Sequence, residues 1–294
     1  MDINELRSFL AVAEEGSFSR AAQELHLSQP AVSKRVAALE ADLETRLFDR
    51  IGHAVRLTEA GRMLLPRARA VLQALENTRQ ALGDLSGRVA GPLAMATSHH
   101  VGLHRLPPVL RAFTTRWPEV ELDLRFMASE QAAQAVRRGE RELAVVTLPA
   151  EPPAALECRA IWPDPLRIVV GREHPLSAAG EVTPRELVAH PAVLPSVGTH
   201  TRTLVEDAFR AAGAAISVRL ETDYLETIKM LVSVGLGWSV LPQTLLGPEL
   251  TPLPVRDIRL SRTLGVIRHR QHTFSNAARA MLELLTEAGA STDC

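Results

Sequence analysis

Of 294 residues only two are cysteines, Cys158 and Cys294, and only two are lysines, Lys34 and Lys229. Two thiols supply neither a disulfide framework nor a zinc-binding spacing, so the fold must be held by an ordinary core, and a reducing cytoplasm is the expected setting. Long apolar runs are also missing. The most apolar late stretch, residues 231–241, is about half a membrane-spanning helix and is broken by Ser233, Gly235, Gly237 and Ser239, so no membrane partner is expected. Near the start, Asp2, Glu5 and Arg7 stand where a secretory signal has a basic end and an apolar run, so export is not expected. Aromatics are scarce at 4%, yet 46% hydrophobic and 23% charged residues exclude disordered and fibrous classes. Arginine replaces the missing lysine, and with abundant alanine this matches a GC-rich bacterial genome.

The length suits about two domains and a connector, on a prior of roughly 150 residues per domain. Ile3, Leu6, Phe9, Leu10 and Ala13 form one stripe of a first helix that Gly16 ends. Ser17 caps a short second helix with Ala21, Ala22 and Leu25 inward. Ser28 caps a third, with Pro30 in its first turn and Val32, Val36 and Leu39 buried. Two short helices joined by a tight turn, with Ala21 small enough for close approach, read as a helix-turn-helix. The third helix offers Gln29, Ser33, Lys34 and Arg35, and no acid interrupts residues 28–39. Residues 1–60 nevertheless carry seven basic against ten acidic groups, so DNA affinity depends on placement on one face and not on bulk charge.

Two short strand-like runs around Gly52, carrying Arg50, His53 and Arg56, read as a wing. Thr58 then caps a long helix in which Leu64, Ala68, Val71, Leu75, Thr78, Leu82 and Leu85 form a heptad seam, with Pro66 expected to bend its first turns. Such a seam serves either a dimerising linker helix or a helix packed on its own domain; the narrow seam and polar flanks favour the dimer. Beyond residue 91 the pattern alternates. Strands are expected at 93–97, 120–126, 143–148, 166–170, 192–195, 217–221, 238–241 and 264–268, with helices at 106–116, 130–138, 202–212 and 225–234, an α/β arrangement. A polar, proline-rich break at 160–165 divides it into two lobes.

The segments Phe18-Ser19-Arg20-Ala21-Ala22, Ser28-Gln29-Pro30-Ala31-Val32-Ser33, Leu39-Glu40, Leu47-Phe48-Asp49-Arg50 and Leu57-Thr58-Glu59-Ala60-Gly61 together resemble the N-terminal domain of LysR-type transcriptional regulators. Leu106-Pro107-Pro108, Gly139 before Glu142-Leu143-Ala144-Val145, and residues 235–242 extend the resemblance diffusely over the chain. It implies α/β architecture with an N-terminal all-α winged helix-turn-helix at 1–58, a long linker helix at 59–90, and an effector-binding domain at 91–294. That last domain would be two-lobed and similar to type 2 periplasmic binding proteins, with lobe 1 at about 91–161 and 266–294 and lobe 2 at about 162–265. The resemblance further implies double-stranded promoter DNA, a small-molecule effector, RNA polymerase and the chain itself as partners, the last as a homodimer through the linker helix and a homotetramer. DNA contacts carry over to Arg20, Ser28, Gln29, Pro30, Ser33, Lys34, Arg35, Arg50, His53 and Arg56. His53 occupies a position commonly held by arginine in the family.

Unpaired N–H groups at strand ends and helix N-termini attract anions. Two such turns, Ser98-His99-His100 and Ser196 through Thr199-His200-Thr201, are expected to line an effector cleft, and the resemblance adds Ser129, Thr147 and Thr227. Their hydroxyls and imidazoles favour a small carboxylate or similar polar anion. Thr199 and Thr201 are also plausible helix caps. His100 and His104, four apart, suit a metal on one helix face, but the sequence shows no third ligand, so neither metal nor cofactor is expected. No elbow surrounds Ser98, and Gly235-Leu236-Gly237 lacks the dinucleotide pattern. A regulator without catalysis is the reading; an enzyme or solute-binding module fused to a DNA-binding head is the alternative. Leu75→Asp should abolish dimerisation, and a variant that sediments as a dimer at low concentration would move that interface elsewhere.

Overall fold

The structure is a computed structural model describing residues 1–51, 54–84 and 87–290, with backbone only at 50, 51, 54, 73, 76, 77 and 79–84. Contacts divide the chain into two compact units, Met1–Ser86 with Arg138–Glu140, and Gly87–Arg137 with Arg141–Cys294. Among the described residues, no helix is long and apolar enough to cross a membrane.

The first unit runs α1 (Ile3–Glu15), α2 (Phe18–Glu24), α3 (Gln29–Asp42), β1 (Phe48–Ile51), β2 (Ala54–Leu57) and α4 (Glu59–Asp84). Asp2 and Glu5 form a reciprocal cap at the start of α1, and Gly16, at φ +59°, ends it in the left-handed region. Leu6, Phe9, Val12, Ala21, Val32, Val36 and Leu39 make one core, in which Ala21 is fully buried. The wing is fastened by a side chain. Glu40 Oε1, on α3, accepts hydrogen bonds from the amides of Leu47 at 2.7 Å and Phe48 at 3.2 Å, while Thr58 Oγ1 donates to the Arg46 carbonyl and accepts from Gly61 N–H. A Cβ at Gly61 would lie 2.2 Å from the Leu47 carbonyl oxygen, so only glycine lets α4 leave the wing at this angle. The seam on α4 is divided: Leu64 and Ala68 pack on this unit's core, whereas Val71 is 45% exposed and Leu75 half-buried. Leu85 lies outside the described residues, and the side chain of Leu82 does too.

The second unit contains β3 (Gly91–Thr97), α5 (His99–His104), α6 (Leu106–Arg116), β4 (Val120–Phe126), α7 (Ser129–Arg137), β5 (Leu143–Thr147), β6 (Leu156–Gly171), α8 (Pro184–Val188), β7 (Ala192–Leu194), α9 (His200–Ala211), β8 (Val218–Glu221), α10 (Leu225–Ser233), β9 (Ser239–Pro242), β10 (Leu250–Pro252), β11 (Leu260–His269) and α11 (Asn276–Ala290). A sheet of order β10-β6-β11-β5-β3-β4, with β9 also on β6, runs through two lobes, and β7 pairs with β8. Parallel pairing of β3 with β4 and β5 buries Leu93, Met95, Leu143 and Val145 under α6 and α11. The second core gathers Ile168, Val170, Leu194, Val205, Phe209, Trp238 and Val240. Trp238 follows Gly237, where a Cβ would meet the Pro191 carbonyl oxygen at 2.3 Å.

The proline-rich stretch 160–165 is not a break. It lies inside the sixteen-residue strand β6, which pairs antiparallel with β11 along its first part. Proline is tolerated there because at Pro163 and Pro165 the strand has a neighbour on one side only, so a missing N–H costs no ladder bond. Trp162 and Leu264, assigned above to the second lobe, pack in the first core, and the passage between lobes falls between Trp162 and Leu166. Gly61→Ala should destabilise the first unit by about 1–3 kcal/mol and weaken DNA binding, which urea unfolding and a DNA titration of the full chain will read.

Candidate functional site

In the first unit the helix-turn-helix presents a polar face. Ser28 caps α3 by accepting from Ala31 N–H at 3.4 Å; Gln29, Pro30 and Lys34 are exposed, and Ser33 and Arg35 half-buried. Gln29 Nε2 donates to Ser33 Oγ at 3.2 Å, so these two side chains act as one preoriented pair. Arg20 is exposed but engaged, its Nε 3.1 Å from Glu15 Oε2. Arg56 is exposed on β2 opposite Asp49. Arg50 contributes its backbone to β1, but its side chain, and His53 altogether, lie outside the described residues.

In the second unit a cavity of about 440 Å3 opens between the lobes. Ser98, His99, His100, Ser129, Thr147, Ser196, Thr199, His200 and Thr201 line it, brought from both lobes. Thr227 does not line it. The chain enters α10 at Tyr224 and Leu225, which do, and the helical turn of about 100° per residue carries position 227 off that face. Thr199 is the N-cap of α9, its Oγ1 accepting from Arg202 N–H at 3.3 Å and donating to the Ser196 carbonyl at 3.0 Å. The next amide, His200 N–H, donates to Glu130 Oε1 of the opposite lobe at 2.7 Å. The α9 terminus thus already takes a carboxylate. Ser196 N–H likewise donates to Asp223 Oδ1 at 2.9 Å, and Ser129 Oγ accepts from Thr147 N–H at 3.3 Å. His99 stacks edge-on against Tyr224 across the cleft, ring centroids 4.8 Å apart.

Three residues that sequence reasoning did not reach organise the floor. Asp164, fully buried, accepts from Arg262 Nε at 2.7 Å, and Arg262 Nη1 donates to Thr201 Oγ1 at 2.7 Å. Arg105 Nη2 and His100 Nε2 each lie 4.0 Å from Asp164 Oδ1. Burial, then the neighbouring charges of Arg262 and His104, push His100 down to a pKa of about 3, so it is a neutral imidazole. His104 Nε2 lies 2.9 Å from Glu226 Oε1. Burial of Glu226 works against its ionisation, but the hydrogen bond to His104 prevails and holds the carboxyl below its ordinary value.

Residues 86–290 match the family of LysR substrate binding domains, and residues 3–62 match the bacterial regulatory helix-turn-helix proteins of the lysR family. Over 108 residues, 37% of this chain and 75% of the other, the sequence is 66% identical to an uncharacterized HTH-type transcriptional regulator in the ibpB-leuC intergenic region of Azotobacter vinelandii. It is 29% identical over 290 residues, 98% of this chain and 94% of the other, to the HTH-type transcriptional regulator YfeR of Shigella flexneri. A full-length cysteine-to-aspartate variant of OxyR from Pseudomonas aeruginosa superposes over 98% of this chain and 94% of its own, with a TM-score of 0.70 and 25% identity.

The state of His100 carries a pH dependence. An unfolded chain takes up a proton at this residue near pH 6.5 and the folded one only near pH 3, so stability is lost as pH falls through that interval. At pH 5 the loss from this residue is about 2 kcal/mol relative to neutral pH. Urea unfolding of the wild type and His100→Leu at pH 7 and pH 5 will show it as a steeper acid loss in the wild type; parallel losses would assign the cost elsewhere.

Proposed function

The chain belongs to the LysR family of transcriptional regulators, a helix-turn-helix DNA-binding domain followed by a substrate-binding domain, and from that premise we propose that it governs promoter DNA in response to a small carboxylate or similar polar anion held between the lobes. The observation that carries this reading is the α9 terminus, where an amide of the cleft is bonded to a carboxylate of the protein itself. An effector carboxylate offers the same acceptor to the same donor. Glu130 and Asp223 add acceptors to the lining, so the ligand in this reading also carries hydroxyl or amino donors. The dimension is that of a small metabolite: about 440 Å3 falls within the roughly 300–1,000 Å3 of ordinary ligand pockets.

On the DNA side, the Gln29–Ser33 pair meets base edges in the major groove, with Ser28 and Pro30 at the entering end of the helix, and Lys34, Arg35 and Arg20 hold phosphates. Arg50, His53 and Arg56 of the wing meet the flanking backbone or minor groove. Exposed Val71 and half-buried Leu75 support a homodimer through α4, and two such dimers form the tetramer that acts in the cytoplasm and engages RNA polymerase.

The test separates the two halves in the full chain. Thermal shifts against hydroxy-, amino- and dicarboxylic acids should reveal a stabilising acid whose shift disappears in Thr199→Ala while DNA affinity stays unchanged. Gln29→Ala should keep that shift and lose about 1–3 kcal/mol of preference at one or two base pairs. A ligand-induced shift that persists in Thr199→Ala would remove the α9 terminus from the site.

A further inference from the structure

Beside the cleft, three side chains with metal-ligand chemistry converge. His100 and His104 are four apart on α5, their ring centroids 5.0 Å from each other, and Glu226 reaches them from the first turn of α10 in the opposite lobe. One ligand atom from each lies within 4.8 Å of the other two. The fold thus supplies the third ligand that is invisible in the sequence, 122 positions from His104.

A second observation is independent of this clustering. His100 is only 5% exposed, yet neither ring nitrogen makes a hydrogen bond among the described residues. A buried polar atom without a partner is costly, so a native site normally supplies one. A buried imidazole whose ring nitrogens have no partner, next to a second imidazole and a carboxylate, offers the ligand set that a borderline transition metal takes.

We propose that His100, His104 and Glu226 bind a divalent transition-metal ion of the zinc class, which clamps the two lobes together at the edge of the effector cleft. Two imidazoles and one carboxylate are a common zinc set, leaving a further coordination position for water or a ligand. An ion held at about 2.0–2.2 Å from each ligand draws the three atoms inside their present spread, a movement within reach of side-chain rotation. Arg262 and Arg105 oppose positive charge at His100, and the anionic ligand Glu226, with Asp164 4.0 Å from His100 Nε2, offsets them. Entry is open, because the side chains of His104 and Glu226 are 33% and 40% exposed. Because the imidazoles and the carboxylate come from opposite lobes, the ion favours the closed arrangement. The inference does not rest on the anion reading, since the ligands here are chosen by a cation and two of the three lie outside the cavity lining.

The experiment is a titration of metal-free full-length protein with Co2+ and Zn2+, in wild type, His104→Ala, Glu226→Gln and His269→Ala. The last variant disrupts another close histidine pair, His269 and His272, whose ring centroids are 4.3 Å apart. Expected are one ion per chain, a four- or five-coordinate cobalt absorption without a thiolate charge-transfer band, and a Tm that rises with Zn2+ and falls back with chelator. His104→Ala and Glu226→Gln should lose at least about tenfold in affinity, as even groups that merely orient a zinc ligand are worth about 10–100-fold; His269→Ala should bind as the wild type does. Both ligand substitutions fall on partly exposed side chains, and the chelated Tm confirms that each variant folds. The proposal is overturned if cobalt shows a thiolate band, if His269→Ala alone loses the ion, or if wild type and the two ligand variants bind equally.

Discussion

Asp164 and Arg262 face each other as register partners on β6 and β11, at the level where both strands pass between lobes. A fully buried carboxylate is tenable only if its charge is met, and Arg262 meets it at 2.7 Å from a side chain that is itself nearly buried. Another of the guanidinium donors, at Nη1, goes to Thr201 near the start of α9. The second carboxylate oxygen faces His100 of α5 and Arg105. A single cross-strand ion pair therefore fixes the base of the cleft with respect to helices of both lobes. Breaking one member leaves the other charged and unsolvated, a cost of about 3–5 kcal/mol in comparable buried pairs. Of the hydroxyls that line the cavity, that of Thr201 is held directly by this arrangement.

Much of the first unit was legible because its determinants are local. Asp2, Ser17 and Ser28 cap helices a few residues away, and the spacing of Leu6, Phe9 and Val12 reports the buried stripe directly. The motif residues at 39–40 and 57–61 are explained by contacts of short range in sequence: Glu40 receives two amides of the wing, and Gly61 leaves room for a carbonyl. Seven cleft positions were visible as strand ends and helix starts, and the family resemblance added Ser129 and Thr147. What stayed hidden is what depends on distant pairing. Asp164 sits between Pro163 and Pro165, which look like a loop until one sees that β6 lacks a neighbour on one side at that level. Arg262, one of 31 arginines, carries no local mark of burial. Glu226 meets His104 only through the closure of one lobe on the other.

The DNA-binding unit resolves its unfavourable charge count by committing its ions. The N-terminal ammonium is spent on Asp42 and the guanidinium of Arg20 on Glu15, while Lys34 is exposed on α3 without an acid between positions 28 and 39. Net charge over the segment is thus a poor guide to the field at the exposed face of α3, which is set by the cations local to it. Preorientation works in the same direction. Gln29 and Ser33 already hold each other, so the base contact proposed for this pair would carry a lower ordering cost.

Glu130 has one more consequence. Its carboxylate already occupies the His200 amide, so on the proposed reading an anion arriving from solution would compete with a tethered rival and not meet an empty donor. A tethered group acts at an effective concentration that short links commonly set in the millimolar range, about the level of abundant metabolites. Occupancy is then governed by a ratio between external and internal ligand, and the apparent dissociation constant is raised by the same factor. A sensor of the kind proposed above would ignore traces and answer to plenty, with its threshold set by the length and position of one glutamate.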